Sequence, residues 1–148
     1  MSIALACDMR IGGTSAFFAP GFGAIGLSGD YGGSWLLTRL VGPARAKQIY
    51  FGGARVQSDE ALALGMLNEV VADADLQART MALARQIADG PPIAIRYMKQ
   101  NINRATQADF RTCLDWEADR TVRSARTEDH AEAVRAFIDK RPAVFRGK

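Results

Sequence analysis

The sequence predicts an α/β protein whose short, glycine-rich, strand-containing N-terminal third is followed by a run of helices. Three observations carry that expectation. Short apolar pieces broken by glycine fill residues 8–33, apolar residues then recur at helical spacing, and Gly or Pro punctuates each periodic segment. The 148 residues, 48% apolar and 24% charged, suit one ordinary soluble domain.

Ile3 to Cys7 is almost wholly apolar and wants covering on several sides, whereas termini are usually polar and exposed. The expectation is that the fold begins before residue 1. "DMRIGGTSAFF", Asp8 to Phe18, suits two short strands around a turn at Gly12 and Gly13. Residues 32–41 read as a helix with Leu36, Leu37, Leu40 and Val41 on one face, Asp30 or Gly32 near the N-cap and Gly42 closing the end. Pro43 starts a second helix, which Gly52 and Gly53 end.

Ser58, Asp59 and Glu60 form a helix start, with acidic groups at the positive end of the helix dipole, and Gly65 is its stop. "LNEVV" is a short strand. Beyond it the pattern is helical, with Leu76, Leu83 and Ile87 on one face, then Ile95, Met98 and Ile102 after a Pro pair. A longer helix carries Phe110, Leu114 and Trp116, and the last turns Val134, Phe137 and Ile138 inward before Pro142. No repeat or low-complexity tract occurs, and the sheet looks incomplete.

The net charge of +3, from 19 basic and 16 acidic residues, is spread along the chain, which argues against nucleic acid as a partner. Cys7 and Cys113 lie in apolar contexts without a CxxC pair, so both read as reduced core residues of a cytoplasmic protein, with no metal site. No apolar run is long enough for a membrane span and no basic n-region precedes the first apolar stretch. His130 reads as a solvated helix-face residue, and Ser34 and Ser58 as helix-start residues.

The stretch "GFGAIGLSGDYGGS", Gly21 to Ser34, holds six glycines and one carboxylate. Gly21, Gly23 and Gly26 match G-x-G-x-x-G, but Pro20 precedes the match and no helix-forming run follows Gly26, so the dinucleotide context fails. A P-loop is excluded by the missing Gly-Lys-Ser/Thr. Asp30 remains, with two compatible readings. It caps the following helix, or it is a carboxylate at the mouth of an apolar pocket walled by Phe22, Ile25 and Leu27, where apolar surroundings would suit it to proton transfer.

Five segments in order, "ALACDMRIGGTSAFFA", "IGLSGDYGGSWLLTRLVGPARAKQIYFGG", "SDEALALGMLNEVV", "LARQIADGPPIAIRYMKQNI" and "AVRAFIDKRPAVFRGK", resemble the C-terminal portion of the crotonase superfamily, the enoyl-CoA hydratases and isomerases. The resemblance spans essentially the whole chain. It implies an α/β crotonase-like spiral fold, incomplete at the N-terminus, with residues 1–72 as the C-terminal part of the spiral core and 73–148 as a helical trimerisation region. It also implies acyl-CoA thioester chemistry through an enolate held by two backbone N–H donors, with carboxylates moving protons.

Residue by residue the transfer is incomplete. Where the hydratases carry their two catalytic glutamates this chain has Ser2 and Phe22, and both oxyanion-hole donors of the family fall before the matched region. Asp30 stands where isomerases and a dehalogenase of the superfamily carry a working aspartate. Phe137 and Lys140 match the positions that contact the CoA nucleotide, an aromatic face for adenine and a cation for phosphate. The implied partners are an acyl-CoA substrate and further copies of the chain, as a homotrimer or hexamer, with no cofactor beyond the coenzyme A of the substrate. Two functions stay open: an enoyl-CoA hydratase or isomerase with Asp30 as acid/base, and a non-catalytic crotonase-like protein that binds CoA or oligomerises.

Overall fold

The computed structural model describes residues 1–148. It contains two compact units, Met1–Met81 and Ala82–Lys148.

In the first unit the apolar N-terminal segment forms helix α1 (Ser2–Leu5), which buries Ser2 and Leu5 and leaves Ile3 exposed. Strands β1 (Ile11–Gly13) and β2 (Phe17–Phe18) follow, as the alternation of apolar pieces and glycine requires. They do not pair with each other. β1 runs parallel to β4 (Glu69–Val71), with Gly12 opposite Val70, and β2 runs antiparallel to β3 (Val56–Gln57), with Phe18 opposite Val56.

The reason lies in the connection between them. The backbone N–H of Ser15 donates to the Asp73 carboxylate at 3.1 Å, and Gly13, having no Cβ, lets that carboxylate sit against its backbone. The turn is thereby tied to the segment after β4 and cannot fold back as a hairpin. Gly12 is less constrained: a Cβ there would lie 2.7 Å from Leu67 Cδ1, the end of a flexible side chain.

Helix α2 (Gly33–Gly52) is broken at Gly42, whose φ of 77° and ψ of 164° are not helical, and Pro43 restarts it. Gly53, at φ 65°, closes it with its N–H on the Ile49 carbonyl. Leu37 is fully buried, with Leu36 and Val41 packed against the same core, but Leu40, expected on that face, is exposed. Helix α3 (Ser58–Ala63) begins at Ser58, yet the Ser58 hydroxyl does not cap it. That hydroxyl donates to the Thr14 carbonyl at 2.9 Å, fastening α3 to the β1–β2 connection. Leu37 and Met66 are the largest fully buried side chains of this unit's core.

The second unit is helical. Helix α4 (Leu76–Ala88) runs up to and through its start, and α5 (Pro92–Ala105), α6 (Phe110–Ala125) and α7 (Glu128–Ile138) follow. Asp109 caps α6 by accepting from Thr112 N–H at 3.0 Å, and Thr127 caps α7 by accepting from His130 N–H at 3.1 Å. Leu76, Leu83 and Ile87 are partly buried along one face of α4. The other helices depart from expectation: Met98, Ile102, Phe110, Leu114, Val134, Phe137 and Ile138 are all exposed. Ala136 is the buried apolar residue of α7, and the half-buried Trp116 of α6 stacks between arginines, with Arg104 and Arg120 about 4 Å from its ring centroid. Helical periodicity located an apolar face on each helix, but on α5, α6 and α7 much of that face stays exposed.

Both cysteines are free. Neither belongs to a core, Cys7 being exposed and Cys113 half-buried.

The C-terminal tail is tied to α7 by two carboxylates. Asp129, buried, accepts from the N–H groups of Arg146 and Gly147 at 2.7 and 2.9 Å. Glu132 takes both Arg141 N–H groups at 2.6 and 3.0 Å and the Val144 N–H at 3.2 Å. The Arg141 hydrogen bonds, then the Val144 N–H, hold the Glu132 carboxyl down from 4.5 to about 2. A depressed carboxyl adds stability that is fully present above the unfolded value near 4.5 and is lost as pH falls through about 2. Between pH 5 and 2 the urea midpoint of the natural chain is therefore expected to fall more steeply than that of Glu132→Gln. Parallel slopes would show that the pair does not couple to folding.

Candidate functional site

The loop before α2 is built by backbone conformations that glycine supplies. Gly29 (φ 124°) and Gly32 (φ 71°) lie in the left-handed half of conformational space, and Tyr31 joins them at φ 45°. A non-glycine residue there costs on the order of 1 kcal/mol, which surrounding contacts must offset. Asp30 sits at the centre of this loop.

Asp30 is not the side-chain cap expected from sequence. The N-cap of α2 is Gly32, no side chain caps the helix, and Asp30 contributes only its backbone carbonyl, which accepts from Gly33 N–H at 2.9 Å. Its carboxylate is exposed and has no capping duty.

Of the three expected pocket walls, Phe22 is partly buried and stacks on the Tyr50 ring, with centroids 6.2 Å apart and planes 10° from parallel. Ile25 and Leu27 are 70% and 59% exposed and do not enclose the carboxylate. The single 3-10 turn at Gly23–Ile25, ended by Gly26 at φ 71°, turns the chain over the surface there.

Tyr50 is the member of this cluster that sequence reasoning missed. It lies on α2 one turn beyond the buried Ala46 and next to the buried Ile49, so its ring turns toward the core and carries a hydroxyl with it. A tyrosine on the apolar face of a helix was the available signal, since a buried phenol O–H wants a partner. Here the Tyr50 hydroxyl is buried without a hydrogen-bond partner, and so is the hydroxyl of Ser2. Both point at Gly33: a Cβ on that residue would lie 2.7 Å from the Tyr50 oxygen and closer still to Ser2 Oγ. Burial, and then the negative charge of Asp30, push the Tyr50 phenol above its ordinary value of 10, so near neutral pH it stays protonated and is a donor.

The chain thus brings Ser2, Phe22, Asp30 and Tyr50 around the N-terminus of α2. Phe137 and Lys140 lie in the other unit, at the end of α7. Phe137 is 86% exposed, and Lys140 takes φ 54° just past the C-cap residue Asp139, its N–H on the Phe137 carbonyl at 3.3 Å. Both residues are exposed. His130 is exposed on α7. No three His, Cys, Asp or Glu side chains are grouped to hold a metal ion, and no helix is long and apolar enough to cross a membrane.

Residues 1–148 match the family model described as enoyl-CoA hydratase/isomerase. The chain belongs to the enoyl-CoA hydratase/isomerase family. Among curated relatives of this family member, a short-chain-enoyl-CoA hydratase of Clostridium acetobutylicum is 37% identical over 139 residues, covering 94% of this chain and 53% of that protein. The 1,2-epoxyphenylacetyl-CoA isomerase of Escherichia coli is 37% identical over 147 residues, covering 99% of this chain and 56% of the relative. Among solved structures, an enoyl-CoA hydratase from Bacillus anthracis superposes with a TM-score of 0.93 at 33% identity, covering 97% of this chain and 56% of that one. The fold is therefore the α/β crotonase-like fold. The chain spans about half the length of these relatives.

Proposed function

We propose that this family member processes acyl-CoA thioesters through a stabilised thioester enolate, with Asp30 as the acid/base and enoyl-CoA isomerisation favoured over hydration. One observation carries the reading. At the N-terminus of α2 the two positions at which the resemblance puts hydratase glutamates are Ser2 and Phe22, and the carboxylate present beside them is Asp30, exposed and unoccupied by capping.

One carboxylate suffices for isomerisation. Asp30 takes a proton from the carbon between the thioester carbonyl and the double bond, the electron pair moves onto the carbonyl oxygen, and the resulting dienolate takes the proton back at the far carbon of the former double bond. Hydration adds a water oxygen and a proton across the double bond and usually engages two carboxylates. The oxyanion needs two backbone N–H donors, which the resemblance assigns to segments preceding the matched region. Coenzyme A enters as part of the substrate, with Phe137 offering a face to adenine and Lys140 a charge to phosphate. The exposed apolar faces of α5 to α7 support assembly into a trimer or hexamer through residues 73–148, with residues 1–72 forming the core part. The two free cysteines accord with a cytoplasmic setting.

The exposure of Ile25 and Leu27 favours a second reading, a non-catalytic protein that binds CoA or oligomerises. The 148-residue chain is to be assayed with a 3-enoyl-CoA and with crotonyl-CoA, alongside calorimetric binding of CoA. The expected result is isomerisation faster than hydration. CoA binding without turnover of either thioester would overturn the catalytic reading in favour of the second.

A further inference from the structure

α7 ends in a turn that its sequence does not favour. The chain leaves the helix through Asp139 into Lys140 at φ 54°, with the Lys140 N–H on the Phe137 carbonyl at 3.3 Å and the Arg141 N–H on the Ala136 carbonyl at 3.0 Å. Such a helix stop places one residue in the left-handed region, and glycine is the residue that fits there without crowding its Cβ against the backbone. α2 uses glycine for its own left-handed stop, Gly53. α7 has a lysine instead. A cation near a helix C-terminus is favoured, but Arg135 already lies in the last turn, so dipole compensation does not require the strained position.

What holds the turn is a clamp on the residues after it. The Arg141 guanidinium reaches back nine residues to Glu132, its two terminal nitrogens on the two carboxylate oxygens at 2.6 and 3.0 Å, and the Val144 N–H joins that carboxylate at 3.2 Å. The buried Asp129 takes the N–H groups of Arg146 and Gly147, and a Cβ on Gly147 would lie 3.2 Å from Pro92 Cγ, so the tail rests against the start of α5. Arg141 has Glu132 and Asp139 as ionic partners, whereas the exposed Lys140 has none.

We propose that Glu132 and Arg141 are positioning residues for the nucleotide contact at Phe137 and Lys140, their paired side chains forming the clamp that keeps Lys140 in its left-handed turn. The inference rests on the nucleotide reading of those two residues under the proposed function and deepens it. A lysine on a loose chain end loses both backbone and side-chain freedom when it binds a phosphate; a turn fixed beforehand leaves only the side chain to order. The guanidinium suits this task, since a two-bonded fork fixes direction as well as distance.

The 148-residue chain is titrated calorimetrically with CoA. Lys140→Gly removes the cation and relieves the turn, so its CoA dissociation constant is expected to rise about tenfold while its thermal midpoint rises by about 2–4 °C. Glu132→Gln keeps the side-chain shape and is expected to weaken CoA about fivefold, as the left-handed turn loses population. Arg141→Lys, which keeps the charge and loses the fork, is the milder second variant and should move the same way. Combined with Lys140→Gly, Glu132→Gln should cause no further loss, because Glu132 acts through Lys140. Additive losses, or unchanged affinity in both clamp variants, overturn the positioning role, while a loss in Lys140→Gly keeps the nucleotide reading. Unchanged affinity in Lys140→Gly, or no CoA binding by the natural chain, overturns that reading and the inference with it. Without ligand, the strong NMR cross-relaxation between N–H and Cα–H that a positive φ produces at Lys140 is expected to weaken in both clamp variants. Full retention in both overturns the clamp whatever the CoA titrations show.

Discussion

Asp30→Asn is expected to lower 3-enoyl-CoA isomerisation by about 10²–10⁴-fold, the usual contribution of a positioned general acid or base. The substitution keeps size, shape and one acceptor oxygen, and it removes only the ability to take and return a proton. Its structural cost should be small. The side chain is exposed and caps nothing, and the Asp30 backbone carbonyl still accepts from Gly33 N–H. Binding of free CoA should be unchanged, because the residues proposed for the nucleotide, Phe137 and Lys140, are elsewhere in the chain. Steady-state kinetics with calorimetric CoA titration check this together, and unchanged kcat/KM in the variant would remove Asp30 from the chemistry.

Leu37→Ala is expected to destabilise the Met1–Met81 unit by about 3 kcal/mol, within the range seen when a fully buried leucine leaves a cavity. Leu37 is completely buried on α2, between the site loop at its N-terminus and the break at Gly42. α1 packs on α2 as well, with Ser2 against Gly33, so the cavity opens under the segment that positions Asp30. Urea denaturation should show a lowered midpoint at unchanged slope. Leu40→Ala, one turn later but exposed, should cost about 0.5 kcal/mol or less. Similar losses in the two variants would mean that α2 presents another face to the core.

Much of the secondary structure was legible because local chemistry dictates it. Gly42 followed by Pro43 breaks α2 in any context, Gly53 ends it, and "LNEVV" forms β4. The strand partners were not legible. A short connection between β1 and β2 reads as a hairpin until Asp73, some sixty residues on, takes the Ser15 N–H and holds the turn open. The same holds for Ser58: its helix-start signal was sound, but its hydroxyl is drawn to Thr14.

The candidate site shows the same division. Asp30 was visible as one carboxylate among glycines, and Phe22 as an apolar neighbour. That Asp30 is relieved of capping follows from the left-handed Gly32, and backbone angles are set by the packing of α2 on α1, not by residue type alone. Tyr50 stands twenty residues away and entered no motif. Its relation to Asp30 exists because α2 returns its phenol beneath residues 29–33.

By itself the sequence determined most of the helices and their breaks, since these depend on residue identity along a short span, and segments in order along the whole chain carried the family resemblance. The tertiary structure decided the strand pairing, the exposure of Phe110, Phe137 and Ile138, and the approach of Tyr50 to Gly29 and Gly33 on either side of Asp30. Those outcomes turn on which surfaces meet in space. Periodicity can mark a surface as apolar, but only packing reveals whether this chain supplies what covers it.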